Sequence, residues 1–84
     1  MNQRERTIVV QYYALLREER GLGQETLKTS AATAVKLYNE LKAQHGFRLS
    51  VDRLRLAINN QFVPWTTPLN NGDTVVFIPP VAGG

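Results

Sequence analysis

The first strongly patterned stretch, Thr7-Ile8-Val9-Val10-Gln11-Tyr12-Tyr13, is β-branched and aromatic, the composition of a strand. Side chains alternate along a strand, so Ile8, Val10 and Tyr12 share one face and Val9, Gln11 and Tyr13 the other. Apolar residues on both faces predict a strand inside its sheet. Ala14 to Arg20 are mostly good helix formers and run into Gly21 and Gly23, which predicts one or two helical turns. Glu25-Thr26-Leu27-Lys28-Thr29 is a short second strand with Leu27 inward. Ala34, Leu37, Tyr38 and Leu41 recur at helical spacing and Val35 widens the stripe. Thr33 is placed to cap that main helix through its hydroxyl, and Gly46 to end it. Phe47 to Arg53 is a loop anchored by Phe47, Leu49 and Val51. Arg55 to Asn59 is a third strand, Asn59-Asn60-Gln61 a turn, and Phe62-Val63 a short partner strand ended by Pro64. Trp65 to Leu69 is a loop in which Pro68 sets a bend. Asn70-Asn71-Gly72-Asp73 is a turn, and Thr74-Val75-Val76-Phe77-Ile78 is a last strand, apolar on both faces.

The order β-α-β-α-β-β-β predicts an α+β domain: a mixed sheet of four to five strands covered by one main helix, with a short first helix. It suits a ubiquitin-like β-grasp in which the first and last strands lie side by side at the centre. Two segments follow: a domain over 1–78 and an extended tail over 79–84.

A chain of 84 residues makes one domain with little spare core in which to build a deep catalytic cleft. It has no cysteine, which excludes disulfides, thiolate metal sites and a cysteine nucleophile. The start, Met1-Asn2-Gln3-Arg4-Glu5-Arg6, is polar and unlike a secretion signal, and no apolar run approaches the roughly 20 residues that cross a bilayer. The expectation is a cytoplasmic protein that engages no membrane. The formal charge of +3 comes from cations interleaved with Glu5, Glu18, Glu19, Glu25 and Glu40 rather than from a coherent patch, which argues against nucleic acid.

After Ile78 the chain reads Pro79-Pro80-Val81-Ala82-Gly83-Gly84. The prolines cannot donate to a ladder and favour a stiff, extended segment. Six extended residues reach about 20 Å. The shrinking side chains suit threading a narrow channel, and the last two residues lack a Cβ, so a partner's groups can approach closely. At the tip a carboxylate, ionised at neutral pH, can attack the α-phosphorus of ATP and become an acyl-adenylate. A sulfur source can then displace AMP and leave a thiocarboxylate, a sulfur nucleophile. None of these steps uses a side chain of this protein. A Gly-Gly pair alone is a weak signal; its place at the end of a short stiff tail directly after a central strand gives it weight.

The run from Leu69 through Gly72-Asp73-Thr74-Val75-Val76-Phe77-Ile78 to Pro79-Pro80-Val81-Ala82-Gly83-Gly84 closely resembles the end of the molybdopterin synthase small-subunit (MoaD) family. Tyr12-Tyr13-Ala14-Leu15-Leu16-Arg17-Glu18 and Ala57-Ile58-Asn59-Asn60-Gln61-Phe62-Val63 resemble two further parts of it. The resemblance implies a sulfur carrier of molybdenum cofactor biosynthesis that is not an enzyme on its own. It implies Gly84 as the modified residue, with Pro79, Pro80, Val81, Ala82 and Gly83 as the segment a partner grips. It also implies an E1-like (MoeB-like) adenylyltransferase that consumes ATP, a sulfur donor protein, and a MoaE-like large subunit in whose active site sulfur passes to cyclic pyranopterin monophosphate. The family's usual assembly is a heterotetramer. No cofactor is expected to stay bound.

Two other uses of the same tail are a thiamine-pathway sulfur carrier and a ubiquitin-like protein modifier; a third possibility is an interaction module with an inert tail. Phe62, Trp65 and Phe77 are a candidate partner patch, although Phe62 and Trp65 read equally well as core. His45 fits the negative end of the main helix. Tyr12, Tyr13 and Tyr38 read as packing residues, Lys36 and Lys42 as solvated helix positions, and Asp73 as a turn residue rather than a metal ligand. No metal is expected.

Overall fold

The structure, a computed structural model, describes residues 5–80. At its centre β1 (Arg6–Tyr12) and β5 (Thr74–Ile78) run parallel, with Val9 opposite Thr74 and Tyr12 opposite Phe77. The antiparallel partner of β1 on its other side is β2 (Gln24–Thr29), and that of β5 is β3 (Arg55–Ile58), which carries β4 (Gln61–Phe62) at the far edge. The five-stranded order is β2-β1-β5-β3-β4. Two helices, α1 (Ala14–Arg20) and α2 (Ala34–His45), and a 3-10 turn at Val51–Arg53 complete it. This is the predicted two-layer α+β arrangement, with the two strands that are apolar on both faces at its centre.

The core lies between the sheet and α2. Ile8, Val10 and Tyr12 of β1, Leu56 and Ile58 of β3, and Val75 and Phe77 of β5 meet Leu37, Tyr38 and Leu41 of α2. Burying each such side chain contributes about 1.5–3 kcal/mol. Tyr38 touches Phe77 edge-on at 5.0 Å and stacks on Phe47 at 5.8 Å. Its hydroxyl still donates 2.7 Å to the Leu49 carbonyl, so the phenol is not left buried without a partner.

The entry into α2 differs from expectation. Thr33 is the N-cap residue, but its hydroxyl makes no capping bond, and its Oγ1 is buried without a partner. The free N–H groups are taken by the neighbouring loop: Ala34 donates to the Thr67 carbonyl at 3.3 Å and Val35 to the Trp65 carbonyl at 3.1 Å. Thr33 itself pairs with Pro68 as an isolated bridge. Backbone from the 65–68 segment thus does the work assigned to the side chain. The β3–β4 hairpin also differs by one residue, because Asn59 (φ 53°) and Asn60 (φ 71°) both take left-handed backbone, the geometry of a two-residue turn. Gln61 is therefore already in β4.

Two polar clusters hold the frame. Asp73 is 7% exposed. Its carboxylate accepts from Asn59 Nδ2 at 2.9 Å and from the Asn70 N–H at 2.8 Å, while Asn59 Oδ1 accepts from the Thr74 N–H at 2.9 Å. It shapes the turn into β5, as read from sequence, and ties that turn to the β3–β4 hairpin. On the other side, Tyr12 donates to Glu25 at 2.6 Å, and Arg20 clamps the same carboxylate with bonds of 2.7 and 2.9 Å, joining β1, α1 and β2. The Arg20 hydrogen bonds hold Glu25 below the usual carboxylate range. Burial, followed by the bond to Glu25, raises the Tyr12 phenol well above its usual range.

Asp73→Ala is expected to cost about 2–4 kcal/mol in urea unfolding, since two donors lose their acceptor. Thr33→Val is expected to be neutral or stabilising by up to about 1 kcal/mol in the same assay, because the hydroxyl it removes has no partner. Glu25 binds its proton less readily folded than unfolded. Its stabilising contribution is therefore present above the ordinary value of 4.5 and lost as pH falls through the lower folded value. Glu25→Gln should flatten the acid limb of stability against pH, measured as the urea midpoint over that range.

Candidate functional site at the root of the tail

β5 delivers Ile78 and then Pro79 and Pro80 to the edge of the domain. Pro79 is buried and Pro80 exposed. Val81, Ala82, Gly83 and Gly84, the four positions that carry the candidate chemistry, lie outside the described residues. The site that can be built from atoms is therefore the surface the tail leaves from. The domain itself exposes little else with chemical potential, since among the described residues no cluster of His, Asp and Glu is arranged to hold a metal ion.

Two depressions flank Ile78, Pro79 and Pro80. One is an apolar groove of about 520 Å³ between the start of α1, with Tyr13, Leu15 and Glu18, and Leu49. The other, about 430 Å³, lies against Arg53, Arg55 and Phe62. Among the described residues, the two large hydrophobic side chains standing in solvent, Tyr13 at 48% and Phe62 at 62% exposure, border one depression each. Register explains their position. The core takes Ile8, Val10 and Tyr12, so Val9, Gln11 and Tyr13 fall on the opposite, uncovered side of the sheet. Ala57 faces both Val76 and Phe62, and Arg55 faces Ile78. Phe62, Ala57, Val76 and Ile78 thus form an apolar strip beside the tail root. The Arg55 guanidinium lies 4.3 Å over the Phe62 ring, a cation–π contact that holds both at the surface.

The predicted partner patch needs correcting. Phe62 is on it. Phe77 is fully buried and belongs to the core, because its parity in β5 points it at α2. Trp65 is half-buried, stacked on Phe77 at 5.8 Å and edge-on to Tyr38 at 5.9 Å, so it packs against the core. Tyr13 and Ile78 instead line the groove beside the tail root. Alternation sets each apart from its neighbour, Tyr13 from Tyr12 and Ile78 from Phe77, but only the packing shows which of the two faces α2. Tyr13, read as packing, is exposed. Tyr12 and Tyr38 are packed as expected.

Tyr38 and Asp52 serve the fold. Burial and the nearby negative charge of Glu19 push the Tyr38 hydroxyl up to about 12. The Ser50 hydroxyl bonds Asp52 and lowers its carboxyl. His45, in the last turn of α2, lies 5.7 Å from the Phe47 ring, with no arrangement of acid or nucleophile around it. Ala14, at the groove's edge, has φ 52°, a left-handed conformation that turns the chain sharply from β1 into α1 and is uncommon for alanine. None of the described residues forms a nucleophile–base pair. Nor is any helix among them long and apolar enough to cross a membrane.

Comparison with known proteins agrees with this geometry. The chain matches the ThiS family over residues 10–84. It is 35% identical to the molybdopterin synthase sulfur carrier subunit of Haemophilus influenzae, over 89% of this chain and 96% of that one. It is 32% identical to the subunit of the same name from Escherichia coli, over 92% and 99%. Among solved structures, the complex of subunits 1 and 2 of the molybdopterin-converting factor from Helicobacter pylori contains a chain that superposes with a TM-score of 0.63 at 24% identity, over 93% of this chain and 99% of that one. With the strand order, tail root and relatives in agreement, the chain belongs to the ThiS family of ubiquitin-like β-grasp proteins, alongside the molybdopterin synthase sulfur carrier subunits.

Proposed function

We propose that this protein is a sulfur carrier of molybdenum cofactor biosynthesis and that its reacting group is the carboxylate of Gly84. The observation that carries the reading is the continuity of β5 with Pro79 and Pro80. The strand pinned at the middle of the sheet passes directly into the tail, so a rigid body backs a slender extension. The relatives named as sulfur carrier subunits of molybdopterin synthase support the same assignment.

In this reading an E1-like adenylyltransferase brings ATP to Gly84. A carboxylate oxygen attacks the α-phosphorus, pyrophosphate leaves, and an acyl-adenylate forms. A sulfur donor then displaces AMP and leaves a terminal thiocarboxylate. The synthase large subunit next takes the tail; the thiocarboxylate sulfur forms a C–S bond to cyclic pyranopterin monophosphate as an oxygen substituent leaves, and water then hydrolyses the acyl–sulfur bond, leaving sulfur on the pterin and restoring the Gly84 carboxylate. The protein's own part is positional. The prolines hold the first residues extended, and the absence of a Cβ at Gly83 and Gly84 lets both catalytic pockets close around the tip. The exposed Phe62 and Tyr13, with the half-buried Ile78 between them, are the surface that seats each partner while the tail is inserted. The subunit 1 and 2 complex named for the Helicobacter pylori factor supports a large-subunit partner.

The test is intact mass after incubation with ATP, a sulfur source and the activating enzyme. Replacement of one oxygen by sulfur at the C-terminus is expected. A ladder of conjugates would point instead to a protein modifier, and an unchanged mass with a competent activating enzyme would overturn the carrier reading. Deleting Gly84, or adding one residue after it, is expected to abolish sulfur transfer without changing the melting temperature.

A further inference from the structure

The two depressions beside Pro79 and Pro80 carry opposite charge. Glu18 rims the groove on the α1 side. It is exposed and makes no ion pair among the described residues, whereas the next residue, Glu19, pairs with Arg48 at 3.5 Å. Across the tail root, Arg53 and Arg55 rim the other depression. Asp52 also lies there, but its carboxylate is engaged by Ser50 and sits beside Arg53, leaving that side net positive. Arg55 has only the Phe62 ring beneath it and pairs with no carboxylate among the described residues.

An extended tail entering a channel leaves one freedom unset: rotation of the body about the tail axis. The apolar strip brings the surfaces together but fixes that angle poorly, because apolar contact has no direction. Charge of opposite sign on the two sides does have direction, and wrongly placed like charges penalise other orientations. We infer that Glu18 on one side of the tail root and Arg55 on the other fix the rotational register in which a tail-accepting partner docks. That partner presents a cation opposite Glu18 and a carboxylate opposite Arg55 at the mouth of its channel. The inference rests on the carrier reading and specifies its docking surface. The occupant of the two depressions is thus the channel rim of the enzyme that receives the tail.

The experiment measures ATP-dependent pyrophosphate release by the E1-like activating enzyme as a function of carrier concentration. Glu18→Arg and Arg55→Glu are each expected to raise KM by about tenfold, with kcat and melting temperature little changed, since both side chains are exposed. The wild-type KM should rise with salt, and that of Arg55→Gln should rise less. The double variant Glu18→Arg/Arg55→Glu keeps the net charge of the chain and inverts only its polarity across the tail. It is expected to be worse than either single variant. Lys36→Glu, on the exposed side of α2, should leave KM unchanged. A double variant with wild-type KM, or a Lys36→Glu loss equal to that of Arg55→Glu, would show that only net charge matters and would overturn the inference while leaving the carrier reading intact. A wild-type chain that is never adenylated removes both.

Discussion

The parallel pairing of β1 with β5 is the contact on which everything else depends. Four residue pairs, from Val9 with Thr74 to Tyr12 with Phe77, bring the two ends of the domain together. They set Val10, Tyr12, Val75 and Phe77 side by side as the floor against which α2 packs. The same pairing fixes where the chain goes after Ile78. Weakening it would therefore cost core stability and the direction of the tail together.

The division of labour between body and tail has an electrostatic side. Polar groups inside the body are spent on structure: Glu25 between Tyr12 and Arg20, Asp73 between Asn59 and Asn70. Neither cluster opens onto the tail root. The residues that border the root are large, exposed and without a demanding role in the fold, as Tyr13, Phe62 and Arg55 illustrate. A surface of this kind can be shaped by its partners at little cost to folding.

Much of this was legible in the sequence because the local signals agree with one another. The apolar stripe of Ala34, Leu37, Tyr38 and Leu41 is the buried face of α2, and both strands predicted to be interior are interior. What was not legible depends on contacts between segments distant along the chain. Nothing near Thr33 reveals that the Trp65 and Thr67 carbonyls cap α2. Whether Trp65 would be core or surface turned on the same loop, which lays its ring on Phe77. Phe77 was misplaced for a different reason. With β5 apolar on both faces, alternation separates Val76 from Phe77 but does not say which of them meets α2. The candidate site divides similarly: its last four residues lie outside the described residues, and the surface beside Pro79 and Pro80 required the register of β3, β4 and β5.

The central place of β5 also bears on synthesis. It is the last strand of the domain to be made, yet its neighbours on both sides, β1 and β3, are made before it. Until it arrives, β1 and β3 have no common partner and the floor beneath α2 is incomplete. Contacts between segments so distant along the chain are slow to form, because the entropy of closing the loop between them opposes it. A chain that lacks β5 therefore has no complete sheet from which the segment after Ile78 could extend.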